Sequence, residues 1–381
     1  MNRTYVAHDR TDSLSVIDRT TESVVDVVPL GFKPYSVAVN PVTNRLYVPD
    51  VEGRAVSVID GTTESVIDVV PLGFKPYSAA VNPVTNRVYV PDVQGNAVSV
   101  IDGDSNSVIA TVPVGAWAPF GIAVNPVTNR IYVASFSTRG LVSAIDGDSN
   151  SELATIDVGL VPIGVDVNPS TDRVYVANVG SGNVSVIDGI TNTVINTIPV
   201  DPGPTDVAVD PVTGRIYVGH EDIERISVID GASDSVTGVI SLNHGTFWIA
   251  LNPSTGLLYV PHRTGGVEDS VTIIRGVSIL CTLPMSGGPW WPAANASNDR
   301  VYVSLLEANA VAVIENSSEV CLPPAVGGIV ELSSVAETAP ASGGSSSDRD
   351  YVAPVAAGVA VAIGALLLGA SGLYVVRMRM G

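Results

Sequence analysis

Lysine is almost missing from this chain of 381 residues: Lys33 and Lys75 are the only two, and 38 acidic residues outnumber 19 basic ones. A net charge of −19 excludes nucleic acid and anionic headgroups as partners of the folded part, because both need cations that displace counterions. Cysteine is nearly as scarce. Cys281 and Cys321 fall at equivalent places in neighbouring repeats, where Cα atoms are expected beyond the ~7 Å reach of a bridge, so two free thiols are predicted. Zinc spacing, a phosphate loop, a Ser/His/Asp set and a Cys/His set are all lacking. No catalytic residue, metal ligand or cofactor is therefore assigned, and the expectation is that the protein is not an enzyme.

Helical spacing is also absent from the unit that fills most of the chain. Tyr-Val recurs at Tyr5, Tyr47, Tyr89, Tyr132, Tyr175, Tyr217, Tyr259 and Tyr302, always 42 or 43 residues apart. Seven of the eight are preceded by Arg-Xaa; the seventh has Leu257 instead. One unit reads Ser36-Val-Ala-Val-Asn-Pro41, Asn44-Arg-Leu-Tyr-Val48, Ala55-Val-Ser-Val-Ile-Asp60 and Ser65-Val-Ile-Asp-Val-Val70. These β-branched, alternating runs between Pro, Gly, Asn and Asp clusters read as four antiparallel strands. A four-stranded unit of that length is one blade, so the fold class is all-β, a β-propeller. Strand one occurs once fewer than the others, because Met1 falls in the turn before strand two. Ile329–Leu332 is predicted to supply the missing strand beside Tyr5 and Val6 and to close an eight-bladed ring, with seven blades plus a truncated one as the alternative.

The propeller is assigned to residues 1–332 and a Ser/Gly/Ala/Pro linker to 333–350. Residues 351–376 carry no charge, are long enough to span a bilayer and are read as one C-terminal transmembrane helix. Arg377 and Arg379 place the short tail, 377–381, in the cytoplasm and the propeller outside the cell membrane. Export of the propeller then calls for a leader upstream of the present start.

The units Asn82-Pro-Val-Thr-Asn-Arg-Val-Tyr-Val-Pro91, Ser99-Val-Ile-Asp102 and Gly73-Phe-Lys-Pro76 resemble the YVTN-type β-propeller repeats of archaeal and bacterial surface-layer proteins. The resemblance covers residues 1 to about 332. It implies an extracytoplasmic propeller concerned with envelope architecture or attachment and, more loosely, is similar to propellers of lactonase and streptogramin-lyase type. It transfers no catalytic residue.

Within the unit, the arginines before Tyr-Val and the aspartates that end strand three recur together and are lost together at Leu257 and Arg275, which predicts Arg45–Asp60 and Arg87–Asp102 pairs inside single blades. Asp102-Gly-Asp104-Ser-Asn106 and Asp146-Gly-Asp148-Ser-Asn150 look like the start of a calcium loop but lack its glycine and closing glutamate, so they are read as turns. A strand-one column reads Ala38, Ala80, Ala123, Asp166, Ala208, Ala250 and Ala294; its lone carboxylate is expected to face a wet central channel.

The loops joining strands two to three and four to one gather every Phe, Trp, His and Lys of the propeller on one rim. The candidate binding residues for a protein or glycan of the envelope or of a host are Trp117, Phe120, Phe247, Trp248, Trp290 and Trp291. Phe32 and Phe74, set in identical octapeptides, read as packing. The leading expectation is a membrane-anchored surface-layer or adhesion propeller acting through that rim. The alternative is an extracytoplasmic lactonase- or lyase-like enzyme, with His220, Glu221, Asp222, His262 and Asp269 as its candidates.

Overall fold

The computed structural model describes the backbone of residues 36–315, short stretches apart, together with three strands between residues 3 and 29, and side chains mainly over 36–284. Every regular element among these residues is a β-strand. The expected closing strand at 329–332, the linker and the 351–376 span lie outside the described residues.

Six four-stranded antiparallel sheets follow one another along the chain. The second is Ala38–Asn40, Arg45–Asp50, Ala55–Asp60 and Ser65–Pro71; the third runs from Ala80 to Pro113 and the fourth from Pro119 to Asp157. The fifth is Pro162–Asn168, Arg173–Asn178, Asn183–Asp188 and Thr193–Pro199, and the sixth Pro204–Val209, Arg215–His220, Arg225–Asp230 and Ser235–Ser241. The seventh spans Ala250 to Pro284. The first and eighth sheets have three described strands each, so the expectation of eight four-stranded blades is met by six. The strand Arg3–His8 of the first sheet lies against Arg300–Leu305 of the eighth.

The core sits between sheets. Tyr132, Ala134, Val142 and Ile156 of the fourth sheet pack on Val167, Val174, Val176 and Ile187 of the fifth. The same faces meet between the fifth and sixth, and between the sixth and seventh. Strands two and three are buried on both faces in the second to seventh sheets, whereas strand four is mostly exposed. That gradient explains the sequence: β-branched runs fill the middle strands, and the outer strand alternates with Ser, Thr and Asp. A register shift recurs between strands three and four, for example at Val100/Ile101 and Val186/Ile187, adding local twist to each outer edge.

The turns do more than reverse the chain. Asn82 Oδ1 accepts from the Val84 amide, as an Asx turn requires. Its amide nitrogen then donates to Asn129 Oδ1 of the next sheet at 2.7 Å, and Asn125 does the same to Asp172 at 2.6 Å. Asn86, Asn129 and Asp172 hold positive φ, the left-handed conformation that Asn and Asp tolerate best after Gly.

The predicted arginine–aspartate pairs within a blade act through charge: Arg87, Arg130 and Arg173 help to lower the carboxyls of Asp102, Asp146 and Asp188 that face them, while the described arginine hydrogen bonds go elsewhere. Register puts Arg45 opposite Asp60, but its guanidinium reaches forward to the carbonyl of Gly103 and to Asn106 of the next sheet. Arg87 reaches Gly147, and Arg173 reaches Gly231 at 2.7 Å and Asp234 at 3.0 Å. The aspartates instead cap their own turns: Asp102 Oδ1 accepts from the amides of Asp104 and Ser105, and these bonds hold its carboxyl below the usual range. Asp104 and Asp148 accept from Asn86 and Asn129, so the calcium-like segments are ordinary turns with their carboxylates committed. Leu257 and Arg275 face each other in the seventh sheet, where the charge attraction that joins Arg87 to Asp102 and Arg173 to Asp188 is lost from both sides at once. Because Arg173 is a half-buried charged donor, Arg173→Ala is expected to destabilise by about 2 kcal/mol. The exposed Arg139→Ala should stay within about 0.5 kcal/mol; matched guanidinium melts compare the two.

The prediction of free thiols is corrected. Cys281 is disulfide-bonded; the chain's other cysteine, Cys321, lies outside the described residues. The outer strands of neighbouring sheets touch, as Ser107–Pro113 does with Ser151–Asp157, so equivalent outer positions approach more closely than expected.

Candidate functional site

The inner strands of the fifth, sixth and seventh sheets line a cavity of about 360 Å³. It opens to solvent, and its lining side chains are apolar apart from two carboxylates: Val167, Val207, Val209, Ile249 and Leu251 surround Asp166 and Asp206. Asp166 stands two residues before the Asn168 that begins the turn, where other repeats carry alanine. Asp206 stands two positions earlier in its own repeat, where the others carry Ser36, Ser78, Gly121, Gly164, Trp248 and Trp291.

Each carboxylate joins two sheets. Asp166 Oδ1 accepts from the amide of Val167 at 2.8 Å, and Oδ2 from that of Val209, on the sixth sheet, at 2.9 Å. Asp206 repeats the pattern one sheet further round, with Val207 at 2.9 Å and Ile249 at 3.2 Å. Both residues are half-buried: an edge of each meets the cavity while the walls desolvate the rest. Desolvation pushes the Asp166 carboxyl up to about 6 against the pull of its two amides. Asp206 is pushed up to about 7, by desolvation first, with the Asp166 charge adding to it. Near neutrality such a pair holds about one proton between its members.

The sequence singled out Asp166 but expected it to face a wet channel, where the structure desolvates it, and treated it as solitary. Asp206 was missed because columns were compared one at a time, and the two aspartates occupy different columns of adjacent repeats. Replacement of Ser or Gly by Asp in the adjoining repeat was the available signal. Register also puts Ala293, not Ala294, opposite Tyr302, in the place that Ala250 holds opposite Tyr259.

The histidines do not converge. His220 and His262 are fully buried at the ends of equivalent strands. His220 is tied to the Pro202 carbonyl and Ser227, and His262 to Thr272 and the Gly245 carbonyl. Burial lowers both, His262 to about 4, so they act as neutral struts rather than rim residues. Asp269 accepts from the amide and hydroxyl of Thr264 in its own loop; Asp222 lies outside the described residues. The proposed set of His220, Glu221, Asp222, His262 and Asp269 is thus not brought together as one site.

The aromatic candidates divide. Trp117 is 69% exposed. Phe120 is half-buried in a row with Tyr77 and Phe136, ring centres 6.2 and 6.5 Å away. Phe247 and Trp248 are half-buried and touch each other at 6.1 Å. Trp290 and Trp291 lie on the inner strand Pro289–Asn295 of the eighth sheet, and their side chains are outside the described residues. Phe74 packs on the core between the second and third sheets, as expected.

No protein-family model matches the chain, and neither does any curated protein. Solved structures do. Hydrazine synthase of Kuenenia stuttgartiensis superposes with a TM-score of 0.64 at 21% identity, over 74% of this chain and 96% of that one. The dihydro-heme d1 dehydrogenase NirN, in complex with DHE, superposes with a TM-score of 0.68 at 14% identity, over 82% of this chain and 71% of that one. Both neighbours are enzymes, which overturns the expectation that a propeller of this kind is not one. At these identities the likeness is one of fold: the chain is similar to β-propellers built of repeated four-stranded antiparallel blades.

Proposed function

We propose that this protein is a propeller enzyme that performs acid–base chemistry on a small neutral substrate at Asp166 and Asp206, in the manner of a lactonase or lyase. The observation that carries the reading is the placement of two carboxylates on the inner strands of consecutive sheets, lining one open cavity. For a lactone, the ionised carboxylate, assigned to Asp166, takes a proton from water as its oxygen attacks the carbonyl carbon. The protonated partner, Asp206, gives its proton to the ring oxygen as the carbon–oxygen bond breaks, and the pair exchanges the proton back. Amides of Val167, Val209, Val207 and Ile249 hold both groups in place, and the open mouth of the cavity admits the attacking water. The cavity lining has no His, Cys or Met, so the DHE of the second neighbour is not carried over to this site.

The setting belongs to the same proposal. Residues 351–376 anchor the propeller in the membrane with Arg377 and Arg379 inside. The Cys281 disulfide supports an oxidising, extracytoplasmic compartment. Eight blades are supported by the contact between the first and eighth sheets. Attachment to envelope or host material is kept as a second reading for the exposed Trp117.

The test is turnover of a panel of neutral lactones, esters and lyase substrates by the purified propeller. The expected result is a bell-shaped pH profile with limbs near the pair's two values, and a loss of roughly 10²–10⁴-fold in Asp166→Asn and Asp206→Asn. Variants that keep the parental rate on a turned-over substrate would overturn the assignment.

A further inference from the structure

The inner-strand column that holds Asp206 in the sixth sheet faces the neighbouring sheet at Ser78, Gly121, Gly164 and Asp206, in the third to sixth repeats. In the third sheet Ser78 fills the seam with a side chain, its hydroxyl donating to the Phe120 carbonyl of the fourth at 2.7 Å. The fifth sheet has Gly164 at that place, and no side chain fits. A methyl group there would stand 2.7 Å from the Cα of Asp206, 2.8 Å from the Thr205 carbonyl oxygen and 2.9 Å from Asp206 Oδ1. The first two are backbone atoms and cannot swing aside. The seam between the fifth and sixth sheets is therefore closed backbone to backbone, and it is the seam that Asp166 bridges to the Val209 amide. An aspartate side chain is short, and a bond of 2.9 Å leaves no slack for an added atom.

We infer that Gly164 is a positioning residue for the carboxylate pair: by admitting the sixth sheet against the fifth, it sets how closely Asp166 and Asp206 share the cavity. Gly164 touches no substrate and supplies no proton. Its φ is outside the left-handed region, so the requirement is space, not backbone freedom. The charged groups around the pair are few. Among the described residues, no Lys, Arg or His lines the cavity. Asp210, at the end of the same strand, is turned away into its own turn, accepting from Val212 and Thr213. The coupling thus lies between Asp166 and Asp206 themselves, and widening the seam weakens it while admitting water. This rests on the acid–base reading for its consequence in turnover, but it is measurable without any substrate.

The experiment follows the aspartate carboxyl carbons of the isotopically labelled full-length protein by NMR across the pH range, with Asp166→Asn and Asp206→Asn assigning the two signals. In Gly164→Ala the higher of the pair's two values is expected to fall by about one pH unit towards the ordinary carboxylate range. Gly238→Ala, in the outer strand of the sixth sheet, should leave it in place. Should Gly164→Ala not fold in plain buffer, the same titration is followed in it at low temperature with sucrose, which favours the compact state. An unchanged upper value in the folded variant would overturn the inference. A shifted titration in a protein that turns over nothing would keep Gly164 as the spacer of the pair and defeat the catalytic reading alone.

Discussion

Lowering the pH from about 8.5 to about 5 is expected to stabilise the parental protein by about 2 kcal/mol more than it stabilises the Asp166→Asn/Asp206→Asn double variant. The folded state raises both carboxyls, to about 6 and about 7, above the ordinary 3.8. Between those limits the folded chain binds protons that the unfolded chain has already lost. Stability from this source therefore rises as the pH falls through 7 and 6, and levels off below the unfolded value. Taken at face value the shifts would give a larger effect; partial contact of both groups with the cavity reduces it. His220 and His262 act with the opposite sign. Their folded values are lowered, so the stability they contribute is present above the unfolded value of 6.5 and lost as the pH falls towards 4. The parental protein and the double variant share that loss, and the comparison removes it. Asparagine can accept only one of the two amide bonds that each aspartate takes, so absolute stability is a poor readout. Denaturant midpoints at several pH values give the difference, and parallel curves for the two proteins would defeat the account.

Tyr217→Ala is expected to cost about 4 kcal/mol, the largest loss from any single side chain discussed above. Tyr217 is 1% exposed and packs on Ile226, Val228, Ile240, Leu258, Val260 and Ile274 across the sixth and seventh sheets. Removing the ring leaves a cavity in a seam that backbone hydrogen bonds cannot collapse. Tyr217→Phe should cost only about 1 kcal/mol, because the ring stays and only the hydroxyl is lost. Ile249 belongs to the same cluster, and its amide donates to Asp206. The alanine variant should accordingly also disturb the carboxylate titration, whereas the phenylalanine variant should not. Equal costs for the two substitutions would mean that the hydroxyl, not the ring, holds the seam.

The strands were legible because burial on both faces leaves β-branched runs, and the spacing of Tyr-Val gave the unit length directly. The turns were legible as turns, since Asn, Asp and Gly at left-handed positions are a local requirement. What the turns contact was not. The sequence joined Arg45 to Asp60 because they covary along the chain, yet the guanidinium reaches Gly103 and Asn106 across a seam, and seams are set by how whole sheets stack. The buried histidines were misread for a related reason: a strand end looks like a rim until the neighbouring sheet covers it. The candidate site failed in part for the same cause, since Asp166 and Asp206 lie in different columns of different repeats and only the packing of inner strands makes them neighbours.

The arginine contacts between sheets all run one way, from Arg45, Arg87 and Arg173 forward to the turn of the following sheet. The assembly consequently has a polarity that its repeated sequence does not advertise. Removing the following sheet would uncover a guanidinium and removing the preceding one a carbonyl, and water satisfies either. The polarity therefore acts on order rather than on stability: a sheet docked in the reverse sense would set two arginines against each other and leave two turns without a donor, so neighbouring repeats join in one direction only.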